Sequence, residues 1–214
     1  MVYMKQYKHI LFDWDGCLAR TLQVWIDTFQ EELRQRNILA SDKDVAAKLG
    51  HRDIGEHFGV KDEPVFMRSA VDIASQRVME VKLYDGASAL LEHLQKSGRI
   101  IALVSSSPKQ ALLNGVAHNN LQSVFQTIVS GDDVTKYKPD PQALEVALSA
   151  IGGTKASAIM IGDTANDIVA AQTLGIDSAL VFPDEHNLFH DKQTLLRTKP
   201  TYVVEHLIEL KNIL

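Results

Sequence analysis

The sequence predicts an α/β fold: a doubly wound parallel sheet forms the core, and a helical segment is inserted after the first strand. Three observations predict it. Short apolar runs rich in β-branched residues recur at 10–12, Ile100–Val104, Thr127–Val129, 158–161, 179–182 and Tyr202–Val204, and continuous runs bounded by turn residues suit strands buried on both faces. Helical segments separate most of them, the alternation expected of parallel strands with crossover helices. The stretch from about Leu18 to Leu83 contains no convincing strand pattern.

In chain order, the first run ends in Asp13-Trp14-Asp15-Gly16. Leu22, Trp25, Ile26, Phe29 and Leu33 then form one helical stripe,. A second helical period covers residues 65–81, with Phe66, Ala70, Ile73 and Val78 as its inward positions. About 65 residues are enough for a small helical cap, so the expected division is a core of 1–17 and 84–214 with a cap of 18–83. Leu90, Leu91 and Leu94 share a face of the next helix, which stops near Gly98. Pro108 opens another, where its missing N–H costs nothing,. Helices at 143–151 and 168–174 complete the alternation, with Gly152 and Gly175 as stops,. Ligands of such sheets bind beyond the carboxyl ends of the strands.

The net charge of −5 and pI near 5.9 disfavour contact with phosphate backbones, so nucleic acid is not an expected partner,. One cysteine allows neither an internal disulfide nor a cysteine-rich zinc site,. The stretch from Met1 to His9 lacks the apolar centre of a signal peptide, and no run reaches the roughly 20 apolar residues of a membrane span,. A soluble cytoplasmic protein with no membrane partner is expected.

The chemistry concentrates at predicted strand ends. Asp13 and Asp15 follow the first strand at i and i+2, and Gly16 permits a sharp turn,. Asp163 stands at the tip of the 158–161 strand and Asp167 four residues later, where a helix begins. Two acidic strand tips at one sheet edge repel unless a cation joins them, and a hard divalent ion such as Mg²⁺ suits oxygen ligands. Ser105, Ser106 and Ser107 precede Pro108 with hydroxyl and N–H groups that favour an anion, although ordinary capping uses the same residues,. Lys138, between Tyr137 and Pro139, adds a cation. Metal, carboxylate nucleophile, anion cradle and cation are the requirements of phosphoryl transfer.

In these motifs the chain resembles the haloacid dehalogenase-like (HAD) superfamily, specifically members with a helical cap after the first strand. Asp13-x-Asp15-Gly16, Ser105, Lys138-Pro139 and Gly162-Asp163-x-x-x-Asp167 appear in the order of that superfamily's four motifs. The subgroup it looks most like contains phosphoglycolate phosphatases and β-phosphoglucomutases. The resemblance implies a Rossmann-like core and an aspartyl-phosphate formed on Asp13. It implies that Asp15 protonates the leaving oxygen and then activates water. Mg²⁺ would be held by the Asp13 side chain, the Asp15 carbonyl and Asp163, with Asp167 close by. Ser105 would hold a phosphoryl oxygen, and Lys138 would offset charge on nucleophile and phosphate. The expected activity is Mg²⁺-dependent hydrolysis of a small phosphorylated metabolite. A phosphomutase using the same intermediate, or a binding module without catalysis, remains the alternative.

The chain departs from the superfamily's usual pattern at three positions. Arg20 stands where an Asp is common, near the cap hinge, and either pairs with an anionic substrate group or makes a surface contact. Cys17 reads as a small packing residue, and Tyr137 replaces a common Gly,. In the cap, His51 and Arg52 after Gly50 are the candidates to face the site. His186 and His190 have helical spacing without the Glu of a zinc-protease motif, and read as surface residues,.

Overall fold

The computed structural model describes residues 6–51 and 53–214, so most of the stretch from Met1 to His9, like Arg52, lies outside the described residues. Six strands, His9–Phe12 (β1), Ile100–Val104 (β2), Thr127–Val129 (β3), Ala158–Gly162 (β4), Asp177–Val181 (β5) and Tyr202–Val204 (β6), form one sheet. Its order is β3-β2-β1-β4-β5-β6, and every neighbouring pair is parallel. The fold is the expected doubly wound one. The chain runs outward from β1 on one side and returns to β4 on the other, so the crevice above β1 and β4 is the topological switch point where ligands of such sheets bind.

Nine helices occur among the described residues: Leu22–Gln35 (α1), Asp42–Ala46 (α2), Ile54–His57 (α3), Glu63–Arg77 (α4), Ala87–Lys96 (α5), Lys109–His118 (α6), Gln142–Ala150 (α7), Ala165–Leu174 (α8) and Lys192–Leu196 (α9). Strand alternation sends Leu11, Ala102, Val104 and Met160 to one face, where Leu144, Ala147 and Leu148 of α7 and Ala170, Ala171 and Leu174 of α8 cover them,. Ile10, Phe12, Ile101, Leu103, Ile159 and Ile161 face the other way, under Leu90, Leu91 and Leu94 of α5 and Leu112 and Val116 of α6. Both faces are covered, which is why the strands read as continuous apolar runs.

Helices α1 to α4 share a separate apolar cluster built on Trp25, Ile26, Phe29, Leu33 and Phe66. The rings of Trp25, Phe29 and Phe66 stack in sequence, with centroids 5.8 Å apart at each step. On α4 the buried positions are Phe66, Ala70 and Ala74, followed by Val78 just beyond it. Ile73, expected inward, is only half-buried, because the buried row advances in steps of four and leaves it on the flank,. The two passages between sheet and insertion run side by side: Arg20 N donates to Lys82 O at 3.0 Å and Tyr84 N to Leu18 O at 2.9 Å. Among the described residues no helix is long and apolar enough to cross a membrane.

Candidate active site

Register brings the acidic strand tips together. Phe12 is paired with Ile161, and Asp13 N donates to Ile161 O at 2.8 Å, so Asp13 leaves the sheet beside Gly162-Asp163. Lys138 arrives from the loop between β3 and α7. Its Nζ donates to Asp13 Oδ1 at 2.7 Å, Asp167 Oδ1 at 2.6 Å and the Val104 carbonyl at 3.1 Å. Those three acceptors occupy all three ammonium protons. Asp167 Oδ2 also accepts from Thr164 N at 3.1 Å and Thr164 Oγ1 at 2.7 Å, which fixes the first turn of α8,.

Three carboxylates face this single ammonium, and Asp13, Lys138, Asp163 and Asp167 are all buried. Burial pushes the Asp13 carboxyl up to about 7 even with Lys138 beside it, and pushes Asp163 well above the ordinary carboxylate range,. Burial also opposes the charge on Lys138, but Asp13 and Asp167 more than offset that and hold its pKa above normal. The cluster is therefore short of positive charge. Asp13, Asp163 and Asp167 each bring an oxygen within 4.8 Å of the others, and both oxygens of Asp163 are buried without a hydrogen-bond partner. Two orphaned buried oxygens on Asp163, with carboxylate oxygens of Asp13 and Asp167 close by, fit a hard divalent cation,.

Two glycines permit the crowding. Gly16 has φ +79°, and a Cβ there would lie 2.3 Å from Asp163 Oδ2. At Gly162 a Cβ would fall 2.3 Å from Asp167 Cγ.

Asp15 is held differently. Its Oδ1 accepts from Thr21 Oγ1 at 2.7 Å and Trp25 Nε1 at 2.8 Å. Its Oδ2 accepts from Ser105 Oγ at 2.9 Å and Ser107 Oγ at 2.7 Å. The expected anion cradle after β2 is thus partly engaged inside the protein. Ser107 N donates to Ser105 Oγ at 3.0 Å, and Lys109 N, at the start of α6, donates to Asp132 Oδ2 at 2.8 Å. Ser105 is buried against Asp15 and forms no part of the cavity wall, whereas Ser106 and Ser107 do.

That cavity, of about 110 Å³, lies between sheet and insertion. Its floor carries Asp13, Asp15 and Lys138, with Ser106 and Ser107 on one side and Thr164 and Asn166 on the other. From the insertion come Leu22, Trp25, Phe29, Leu49, Met67 and His51. His51 lines this cavity, while Arg52 is outside the described residues. His51 also stands near Asp53 and His57, an exposed group in which His51 Nδ1 and His57 Nε2 lie 3.9 and 3.6 Å from Asp53 Oδ1.

Arg20 does not reach this cavity. It pairs with Glu185, stands 3.5 Å from Asp85, and lies over the Tyr84 ring at 4.6 Å in a separate cleft. With two carboxylates around its guanidinium, it joins the insertion hinge to the β5–β6 connection. Cys17 is fully buried, as a packing residue should be.

His186 and His190 are not surface residues. His186 is fully buried, His190 is 11% exposed and lines the cavity, and both face Asp163. Burial pushes His186 down to about 3 and lowers His190 as well, so both imidazoles are neutral near pH 7.

Sequence reasoning also missed Thr21, Trp25 and Ser107 as the holders of Asp15. Trp25 lay on an apolar helical stripe, which explained its ring but not its N–H. A buried indole nearly always finds an acceptor for that group, and this was the available signal.

The sequence profile of haloacid dehalogenase-like hydrolases matches residues 10–181. The chain belongs to that family. Among individual relatives, the pyrophosphatase PpaX of Listeria innocua is 27% identical over 214 residues, covering 94% of this chain and 93% of its own. The PpaX of Halalkalibacterium halodurans is 27% identical over 184 residues, 80% of this chain and 82% of its own. Solved structures share the fold of this HAD hydrolase. A predicted phosphoglycolate phosphatase from Haemophilus somnus superposes with a TM-score of 0.85 at 21% identity, over 98% of this chain and 99% of that one. CbbY from Rhodobacter sphaeroides, solved with phosphate, superposes with a TM-score of 0.82 at 17% identity, over 96% of each chain.

Proposed function

We propose that the protein is a Mg²⁺-dependent phosphatase that hydrolyses a small phosphomonoester through an aspartyl-phosphate on Asp13. The observation that carries this reading is the buried carboxylate cluster, in which Asp13 is anchored by Lys138 while Asp163 is left with two orphaned oxygens. Asp13, Asp163 and Asp167 are the residues that would hold the cation. When bound, it supplies the positive charge the cluster lacks and draws negative charge off a phosphoryl group.

The protein's own residues supply the rest. Lys138 fixes Asp13 Oδ1 and leaves Oδ2 as the attacking atom. Attack forms the bond from Asp13 to phosphorus and breaks the bond from phosphorus to the leaving oxygen, replacing one hard step by two easier ones. Asp15 delivers a proton to that oxygen, then takes one from the water that cleaves the acyl phosphate. Trp25 N–H can only donate, so Oδ1 of Asp15 stays an acceptor and the transferable proton belongs on Oδ2,. There the Ser105 and Ser107 hydroxyls can rotate to accept it. Ser106 and Ser107 stand at the cavity wall where the phosphoryl oxygens would lie.

The insertion narrows the substrate class. Apart from His51, its described contributions to the wall are apolar. Those apolar side chains suit the carbon-bearing part of a small phosphomonoester,. The test is phosphate release from a panel of small phosphomonoesters and from pyrophosphate, with Mg²⁺ and with chelator, for wild type and Asp13→Asn. Metal-dependent release from monoesters, lost in Asp13→Asn, supports the reading. Preference for pyrophosphate would overturn the substrate class. Transfer to another hydroxyl of the substrate in place of release would indicate a phosphomutase.

A further inference from the structure

Within the carboxylate cluster the three Asp residues are unequally supported. Asp13 accepts from Lys138, and Asp167 from Lys138 and Thr164. Asp163 has no hydrogen-bond partner for either oxygen, although burial removes both from water. Of the other buried atoms in that condition, Glu63 Oε2 and Ser75 Oγ lie in the insertion, whereas His186 Nδ1 and His190 Nε2 stand beside Asp163. These two nitrogens and the Asp163 oxygens belong to one cluster: each imidazole nitrogen lies 3.9 Å from Asp163 Oδ2. A direct N–H···O bond spans about 2.7–3.2 Å. A separation of 3.9 Å is one that a single bridging water or a small closure satisfies,.

We propose that His186 and His190 are positioning residues for Asp163: they hold Oδ2 from behind, turn Oδ1 toward Asp13 and Asp167, and so set the affinity of the cluster for its divalent cation. This rests on the metal reading given above. The two imidazoles are themselves fixed by other elements. Tyr84 Oη hydrogen-bonds His186 Nε2 at 2.8 Å, and the His186 ring meets Phe182 and His190 edge to face at 5.6 and 6.1 Å. His186 is thereby tied to the returning hinge segment at Tyr84, while His190 lines the cavity. Groups that orient a liganding carboxylate typically change metal affinity by about 10–100-fold when removed.

The test is a Mn²⁺ titration read by the loss of the free-ion electron paramagnetic resonance signal, on wild type, Asp163→Asn, His190→Leu and His190→Gln. His190 is the residue to vary first because its partial exposure makes replacement tolerable, and thermal melting of the metal-free proteins checks the fold. His186→Asn serves as the second position. The expected result is one tight Mn²⁺ in wild type, none in Asp163→Asn, and an affinity about 10–100-fold weaker in His190→Leu at unchanged melting temperature. His190→Gln, which keeps an N–H donor, should recover part of the loss. Wild-type affinity in both His190→Leu and His186→Asn, with Asp163→Asn inactive in binding, overturns the positioning role alone. No Mn²⁺ bound by wild type, or undiminished binding in Asp163→Asn, overturns the metal reading and the proposal with it.

Discussion

Replacing Lys138 by Met removes the one ammonium in the carboxylate cluster while keeping the length of the side chain. Its Nζ bridges Asp13 and Asp167 at 2.7 and 2.6 Å, with all three side chains buried. Breaking a buried pair by removing one partner costs about 3–5 kcal/mol, because the remaining charges are left uncompensated. For a domain of this size that corresponds to a fall in Tm of roughly 6–20 °C. The loss must depend on pH. Burial already raises Asp13 to about 7, and Lys138 is what opposes that rise, so removal of Lys138 moves Asp13 higher still. A carboxyl whose folded pKa is raised contributes stability that is present below its unfolded pKa and lost as pH rises through the folded value. Near pH 5 Asp13 is neutral in both folded proteins; near pH 8 the wild type holds it ionised against Lys138, while the variant must retain a proton or bury an unpaired charge, and either costs stability,. Thermal melts of metal-free wild type and Lys138→Met should therefore differ strongly at pH 8 and much less at pH 5. Equal losses at both pH values, or a loss under about 2 °C at pH 8, would refute the reasoning.

Other outcomes follow from the same geometry. In the metal-free wild type, stability should decline as pH rises through about 7, and Mg²⁺ should raise Tm more at pH 8 than at pH 5.5, where protons compete for Asp13 and Asp163,; calorimetric melts read both. Gly16→Ala places a methyl 2.3 Å from Asp163 Oδ2 at a left-handed backbone position, so metal-dependent stabilisation and phosphate release should both be lost. Trp25→Phe keeps the ring stack but removes the donor to Asp15 Oδ1 at 2.8 Å. Steady-state kinetics should show kcat reduced by about 10–100-fold, the worth of one hydrogen bond to a charged group, with KM little changed. Arg20→Ala should leave phosphate release within about twofold of wild type, because the side chain serves the hinge and not the cavity.

Much of the fold was legible because the sheet is covered on both faces. That condition forces strands to be continuous apolar runs, and 158–161 or Ile100–Val104 are hard to mistake. The acidic tips were legible for a related reason: carboxylates directly after a buried strand are costly without a use. What escaped was set by turns and long-range partners. Three consecutive serines follow β2, and only the turn decides that Ser105 points inward to Asp15 while Ser106 and Ser107 meet the cavity. Arg20 finds Glu185 from 165 positions away, a pairing no local pattern encodes. His186 and His190 look like chance spacing because their burial comes from the β5–β6 connection folding back over Asp163. Ile73 was misplaced since α4 packs on a row of steps of four, in which Ala74 is the buried position.

Asp13 should carry the phosphoryl group in transit. Mixing the Mg²⁺-loaded enzyme with a substrate from the panel, quenching rapidly in acid, and mapping the peptides by mass would detect it. A single phosphoryl group on Asp13 in wild type is the predicted result, with none in Asp13→Asn. Turnover without phosphorylated Asp13 at any quench time, or a phosphoryl group on another residue, would contradict it.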